Sequence, residues 1–118
     1  MTDKVIYWVG SSREELSDLP LEARRKAGFQ LRAIQRGQKP TDYKPMPTIG
    51  KGVEEIRIWT GEAYRILYVA RFEEAIYVLH VFHKKTQKTS KGDIQLGQKR
   101  YQEMVQFRKE QKDKHKND

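Results

Sequence analysis

The sequence predicts a small α+β domain: helix-forming sequence first, an antiparallel meander of strands next, and a closing helix. Three patterns carry that expectation. In "LEARRKAGFQLRAIQRG", residues 21–37, Ala23, Ala27, Leu31 and Ile34 repeat at spacings of four, four and three, which makes one apolar stripe on a helix. Over residues 53–85, three runs rich in β-branched and aromatic residues are separated by the turns "TGEA" and "FEEA". From about residue 91, "GDIQLGQKRYQEMVQFRKEQ" returns to helix-forming composition.

Taken in order, "KVIYWVG" is a short strand closed by Gly10. Ser12 followed three residues later by Glu15 has the capping-box pattern of a helix start. Pro20 fits the first turn of a second helix, or a break between two short ones, so residues 12–36 form a helical hairpin or one broken helix. Gly37 is placed to end it. "GQKPTDYKPMPTIGKG", with three prolines and three glycines, reads as loop. "VEEIRIW" alternates, with Ile56 and Ile58 on one side and Glu55, Arg57 and Trp59 on the other. "YRILYVAR" is apolar on both faces, as a central strand is. "IYVLHVFHKK" sorts into a Tyr77, Leu79, Val81 row, expected to face the core, and a Val78, His80, Phe82, Lys84 row on the open side. In the tail, Ile94, Tyr101 and Val105 share one stripe and Gly97, Tyr101 and Met104 another.

At 118 residues there is room for one compact domain, expected over residues 1–110, with a basic, disordered tail at 111–118. Cysteine is absent, which excludes disulfides, thiolate metal sites and cysteine nucleophiles. The first apolar run, residues 5–9, is too short for a signal peptide or a membrane span, so a soluble, cytoplasmic protein is expected. The net charge is +8, and it is uneven. Residues 1–79 carry 13 Lys and Arg against 11 Asp and Glu, whereas residues 80–118 carry 11 against 5. Such an excess favours an anionic partner.

The chemistry-bearing residues cluster around "HVFHKKTQKTS". Lys84, Lys85, Lys88 and Lys91 lie in eight residues without an acid. Arg57 shares the open side with Lys84. If the Tyr64, Ile66, Tyr68 row is core, Arg65 and Arg71 join them. Arginine suits phosphate because its planar fork donates two hydrogen bonds at once. Phe82 and Trp59, on the same presumed side, could stack nucleobases. His80 and His83 fall on opposite strand faces with no carboxylate nearby in sequence, so no metal site or cofactor is expected. No P-loop, dinucleotide fingerprint, serine elbow or HExxH motif is present. Residue patterns therefore give a basic, phosphate-binding α+β domain and no reaction.

The order of helical hairpin, Pro-rich loop, "EIR", "YRILY", "LHVFHKKTQKT" and a following helix resembles the RelE/HigB superfamily of toxins from toxin–antitoxin pairs, in its phage-related HigB-like branch. The resemblance implies two N-terminal helices packed on a twisted, mainly antiparallel sheet with a concave open face. It also implies a ribosome-dependent, metal-independent mRNA endoribonuclease that is neutralised by a cognate helix-turn-helix antitoxin. The implied partners are thus the antitoxin, sometimes in a higher-order complex, the ribosome and mRNA, with no membrane. Carried over residue by residue, the implied catalytic groups are Arg65 and Lys84; His80, on the same strand face as Lys84, is the alternative proton carrier. The implied RNA contacts are Arg57, Lys85 and Lys88. Some members place a tyrosine shortly after the last strand; here that loop reads "KTQKTS", and the nearest tyrosine is Tyr101. The general base is thereby unassigned. Two other functions stay open: a gyrase inhibitor of the related ParE kind, and a non-catalytic RNA-binding module.

Overall fold

The structure is a computed structural model and describes residues 3–116. The chain runs β1 (Val5–Trp8), α1 (Ser12–Ser17), α2 (Leu21–Gln35), β2 (Tyr43–Pro45), β3 (Val53–Trp59), β4 (Ala63–Val69), β5 (Ala75–Lys84) and α3 (Lys91–Lys116). The strands form one sheet in the order β1-β5-β4-β3-β2. Only the β1–β5 pairing is parallel; the other three are antiparallel. This is the expected α+β class. β2 is the element the sequence conceals: it lies within the Pro-rich loop and pairs three residues with β3. Its Lys44 and Pro45 are residues that blunt an exposed sheet edge.

The helical hairpin forms as two helices. Pro20, extended at φ −54° and ψ 151°, is the residue from which α2 starts. Gly37, at φ 82°, ends that helix: its N–H bonds to the Ile34 carbonyl, and the Gln38 N–H to that of Ala33. These two bonds make a Schellman motif, which only a residue tolerant of positive φ can close cheaply. The stripe of Ala23, Ala27, Leu31 and Ile34 is buried against Ile56, Ile58, Tyr64, Ile66, Tyr68, Ile76, Val78 and Val81. The capping box does not form. Ser12 instead donates to the Val78 carbonyl at 3.0 Å, and no side chain caps α1.

The opposite face of the sheet is not open along its whole length. α3 lies on it and completes a second core with Val53, Leu67, Val69, Tyr77, Leu79 and Phe82 from the strands and Tyr101 and Met104 from the helix. Gly97 permits this approach, since a Cβ there would stand 2.9 Å from Leu67 Cδ1. Of the two tail stripes, the one through Gly97, Tyr101 and Met104 faces the sheet, and Val105 is exposed. α3 is helical as far as Lys116, past the boundary at residue 110 expected from composition; residues 117–118 lie outside the described residues.

A β-bulge decides how β5 presents its side chains. Leu67 pairs with His80 but Tyr68 pairs with Val78, leaving Leu79 as an extra residue. The alternation therefore slips. Ile76, Val78 and Val81 face α2, while Tyr77, Leu79 and Phe82 face α3. The expected Tyr77, Leu79, Val81 row is thus split between the two cores.

Next to the bulge, a polar network ties α1, β5 and α3 together. Glu15 Oε1 lies 2.9 Å from His80 Nδ1 and accepts from Arg100 Nη1 at 2.8 Å and the Val81 N–H at 3.0 Å. Arg100 also donates to the Leu79 carbonyl and the Ser11 hydroxyl, and His80 Nε2 meets Asp93 Oδ1 at 2.7 Å. Burial alone would raise the Glu15 carboxyl, but the hydrogen bonds from His80, Arg100 and the Val81 amide bring it down from 4.5 to about 2. A depressed carboxylate contributes stability that is complete above its unfolded value and is lost as pH falls through the folded one. The protein is accordingly expected to lose stability between pH 4.5 and about 2. Glu15→Gln is expected to cost roughly 3 kcal/mol at neutral pH and to flatten that acid decline, as read by urea melts at several pH values.

Candidate active site

The end of the sheet that α3 leaves uncovered carries the cations. The β3–β4 register sets Arg57 directly opposite Arg65, and β5 places Phe82 beside Arg65. One row along, Glu55 lies between Leu67 and Lys44; one row the other way, Lys84 pairs with Ala63. Alternation puts Lys44, Glu55, Arg57, Arg65 and Lys84 on the α3 face, and the bulge is what brings Lys84 to it. Arg71 does not join them. It follows the far end of β4, where its stem packs near Gly52 and its guanidinium over Phe72.

Two guanidinium groups directly across strands repel one another. The counter-charge lies beneath them: Glu55 is fully buried, with Oε1 3.5 Å from Arg65 Nε. Asp42 Oδ1 is 3.9 Å from Arg57 Nη1, and its backbone carbonyl accepts the Arg57 N–H. Four cations thus meet two acids, leaving two positive charges in excess. Arg65 is 12% exposed at its side chain and Arg57 37%, so one is fixed in the floor and the other reaches solvent. Burial lowers the pKa of Arg65; Glu55 opposes that shift and Arg57 adds to it. Lys84 is also shifted down, by burial first and then by Arg65, with Glu55 in opposition and Lys44 and Arg57 reinforcing. Three polar atoms here are buried without a hydrogen-bond partner: Glu55 Oε1, Arg57 Nε and Arg65 Nε.

The basic loop after β5 is held by its own hydroxyl groups. Thr86 donates to the Lys88 carbonyl, and Thr89 donates to Glu55 Oε2 at 3.1 Å. Ser90 caps α3, accepting from the Asp93 N–H at 3.1 Å and donating to Asp93 Oδ2 at 2.7 Å. Lys85 and Lys88 are left exposed beside the shelf. A cavity of about 140 Å³ between Lys84, Lys85, Thr86, Ser90 and Asp93 is well below the roughly 300 Å³ at which small-molecule pockets begin. An open shelf of this kind suits a polymer backbone better than an enclosed cofactor.

The remaining candidate residues are placed differently. His80 is 5% exposed, with each ring nitrogen against a carboxylate and its ring stacked on Phe82, centroids 4.7 Å apart. Phe82, expected on an open face, is core at 7% exposure. Trp59 is 66% exposed at the end of β3, free to stack. Tyr101 is buried and its hydroxyl donates to the Lys51 carbonyl at 3.2 Å. His83 stacks on Tyr64 on the α2 face. Among the described residues no three His, Cys, Asp or Glu side chains are grouped to hold a metal ion, and no helix is long and apolar enough to cross a membrane.

A protein-family model, Phage derived protein Gp49-like (DUF891), matches residues 14–102, most of the chain. The chain belongs to that family. It is a RelE/HigB-type toxin family of toxin–antitoxin systems, so a toxin role and an antitoxin partner are consistent with membership. No curated protein gives a significant match. The Gp49-like match takes in all of Lys44, Glu55, Arg57, Arg65, Lys84 and Lys88, and it runs from within α1 into α3.

Within this cationic cluster, Lys44 and Glu55 are not marked as functional by any pattern in the sequence. Lys44 was hidden in the Pro-rich loop, since a three-residue edge strand leaves no periodicity. Glu55 was visible as an acid on the cationic face of β3, the one signal that could have marked it; that it is buried is a tertiary fact. Because Arg65 helps depress Lys84, removing it should move Lys84 back up. In a Lys Cε–Hε NMR titration, Lys84 is expected to titrate below the free-lysine value of about 10.4, and to rise in Arg65→Gln.

Proposed function

We propose that this Gp49-like toxin is a ribosome-dependent mRNA endoribonuclease of the HigB-like branch, restrained by a cognate helix-turn-helix antitoxin in the cytoplasm. The observation that supports this most is the convergence of Arg57, Arg65, Lys84 and Lys44 on one open end of the sheet with too few acids to balance them. In the reaction, the ribose 2′-oxygen loses its proton and bonds to the adjacent phosphorus. The bond from phosphorus to the 5′-oxygen breaks, leaving a cyclic phosphate and a 5′-hydroxyl. No step requires a metal ion. The pentacoordinate state gains negative charge, and donors fixed in advance stabilise it without reorganising.

Arg65, held in the floor, and Arg57, reaching out, are suited to clamp the phosphate. Lys84 is suited to protonate the departing 5′-oxygen, and its lowered pKa makes it a stronger acid than free lysine. His80 is engaged by Glu15 and Asp93 and is better placed to support the strand than to carry protons. Lys85, Lys88 and Trp59 extend the surface for flanking phosphates and a stacked base, while Phe82 backs the floor. The base that takes the 2′ proton comes from water or the ribosome in this scheme.

Primer extension on mRNA from cells making the protein is expected to show breaks at codon-related positions. DNA damage without mRNA breaks would instead assign the protein to gyrase inhibition. Lys84→Ala is expected to lower cleavage by about 10²–10³-fold and abolish growth arrest while melting near wild type. Arg65→Ala is expected to do the same to cleavage but to melt lower, because it strips the buried Glu55 carboxylate of its ion pair. Undiminished growth arrest in folded variants would refute these roles. The purified protein is expected to cut a naked oligonucleotide poorly, because the ribosome supplies orientation.

A further inference from the structure

We infer that Glu55 is a positioning residue of this site: its buried carboxylate fixes the Arg65 guanidinium and latches the basic loop, so that a phosphate meets donors already in place. This deepens the RNA-cleavage reading and rests on it.

Burying a carboxylate is costly, and replacing buried ion pairs by apolar residues is often neutral or stabilising. Nothing in the packing calls for an acid at this position. Val53, two residues back on the same face, and Leu67, directly opposite, are core residues. What the carboxylate does is connect two parts of the site. Oε1 faces Arg65 Nε at 3.5 Å, and Oε2 accepts the Thr89 hydroxyl from the loop that carries Lys85 and Lys88. Glu55 also sits one row along the same face from the Arg57–Arg65 pair, and its charge offsets part of their mutual repulsion through Arg65.

The long Arg65 contact matters. At 3.5 Å it is an ion pair rather than a hydrogen bond, and Glu55 Oε1 and Arg65 Nε both lack a hydrogen-bond partner. Arg65 donates from Nη1 to the Tyr64 carbonyl, and among the described residues its Nη2 makes no hydrogen bond. Glu55 therefore orients the guanidinium electrostatically and leaves donor capacity for a ligand. Glu55 is not the general base, because a carboxylate with no exposed surface cannot reach a ribose hydroxyl.

Glu55→Gln is the test, since the amide keeps an acceptor for Thr89 and the side-chain volume but removes the charge. The variant gains one positive charge, so its affinity for RNA should hold or rise at low salt. Its kcat on programmed ribosomes is expected to fall about 10- to 100-fold with KM unchanged or lower, the signature of misplaced rather than missing donors. In ¹⁵N NMR, the Arg65 Nε–H should be ordered and slow to exchange in the wild type and mobile in Glu55→Gln. An unchanged Arg65 signal, or a kcat within twofold of wild type, overturns the inference. So does a kcat loss that tracks a collapsed thermal melt. Thr89→Val tests the latch separately, since it keeps the ion pair and removes only the Thr89–Glu55 hydrogen bond. It should speed amide exchange over residues 85–89 and lower kcat severalfold; no change in either overturns the loop half of the claim. If the wild type cuts no RNA, the cleavage reading fails by itself, and the NMR comparison still decides whether Glu55 orders Arg65.

Discussion

One extra residue in β5 decides which way Lys84 points. Without the bulge at Leu79, strict alternation would keep Lys84 on the face opposite Tyr77 and Leu79, among the side chains that pack on α2. With it, Leu79 and His80 both turn toward α3, and Phe82 and Lys84 follow on that same side. An extra residue in a strand re-aims every side chain beyond it. The aim of Lys84, the burial of Phe82 behind Arg65 and the position of the basic loop all follow from that slip. The Glu15, His80 and Arg100 network sits against the bulge and supplies partners for the backbone there, through the Val81 N–H and the Leu79 carbonyl.

The same network settles where α3 begins. Asp93 is held by His80 and caps with Ser90, and Arg100 reaches back to α1 through Ser11. The loop from Lys85 to Thr89 is thereby short and fixed at both ends, by β5 on one side and by the α3 cap on the other. A loop so held presents its lysines at little entropic cost when a polyanion arrives. The half of the second face that α3 covers and the half it leaves bare are two results of one docking geometry, which Gly97 permits.

The bare half concentrates like charge. Arg57 opposite Arg65, with Lys44 and Lys84 nearby, is an arrangement that destabilises an isolated sheet, and Glu55 below and Asp42 beside it offset only part. Buried orphan atoms on Glu55, Arg57 and Arg65 mark a region where folding has not satisfied itself. Proteins keep such unsatisfied groups in few places, and functional sites are among them. The Gp49-like match, over residues 14–102, contains this region together with most of the rest of the fold.

The sequence by itself determined the helical stripe on α2, its Gly37 stop, the β3–β4 hairpin and the concentration of cations after His80, because each is written in neighbouring residues through spacing or composition. It also carried the resemblance to RelE/HigB toxins. Other features depended on contacts distant in the chain. Ser12 and Glu15 spell a capping box, yet β5 captures Ser12, and the network with His80 and Arg100 captures Glu15, because a buried carbonyl or cation outcompetes a local amide. Tyr43 to Pro45 became a strand only because β3 offered an edge. The bulge, the burial of Glu55 and the enclosure of His80 between two acids have no local periodicity at all. They rest on contacts between distant segments, of His80 with α1 and α3 and of Glu55 with Arg65 and Thr89, and that is a property of packing rather than of pattern.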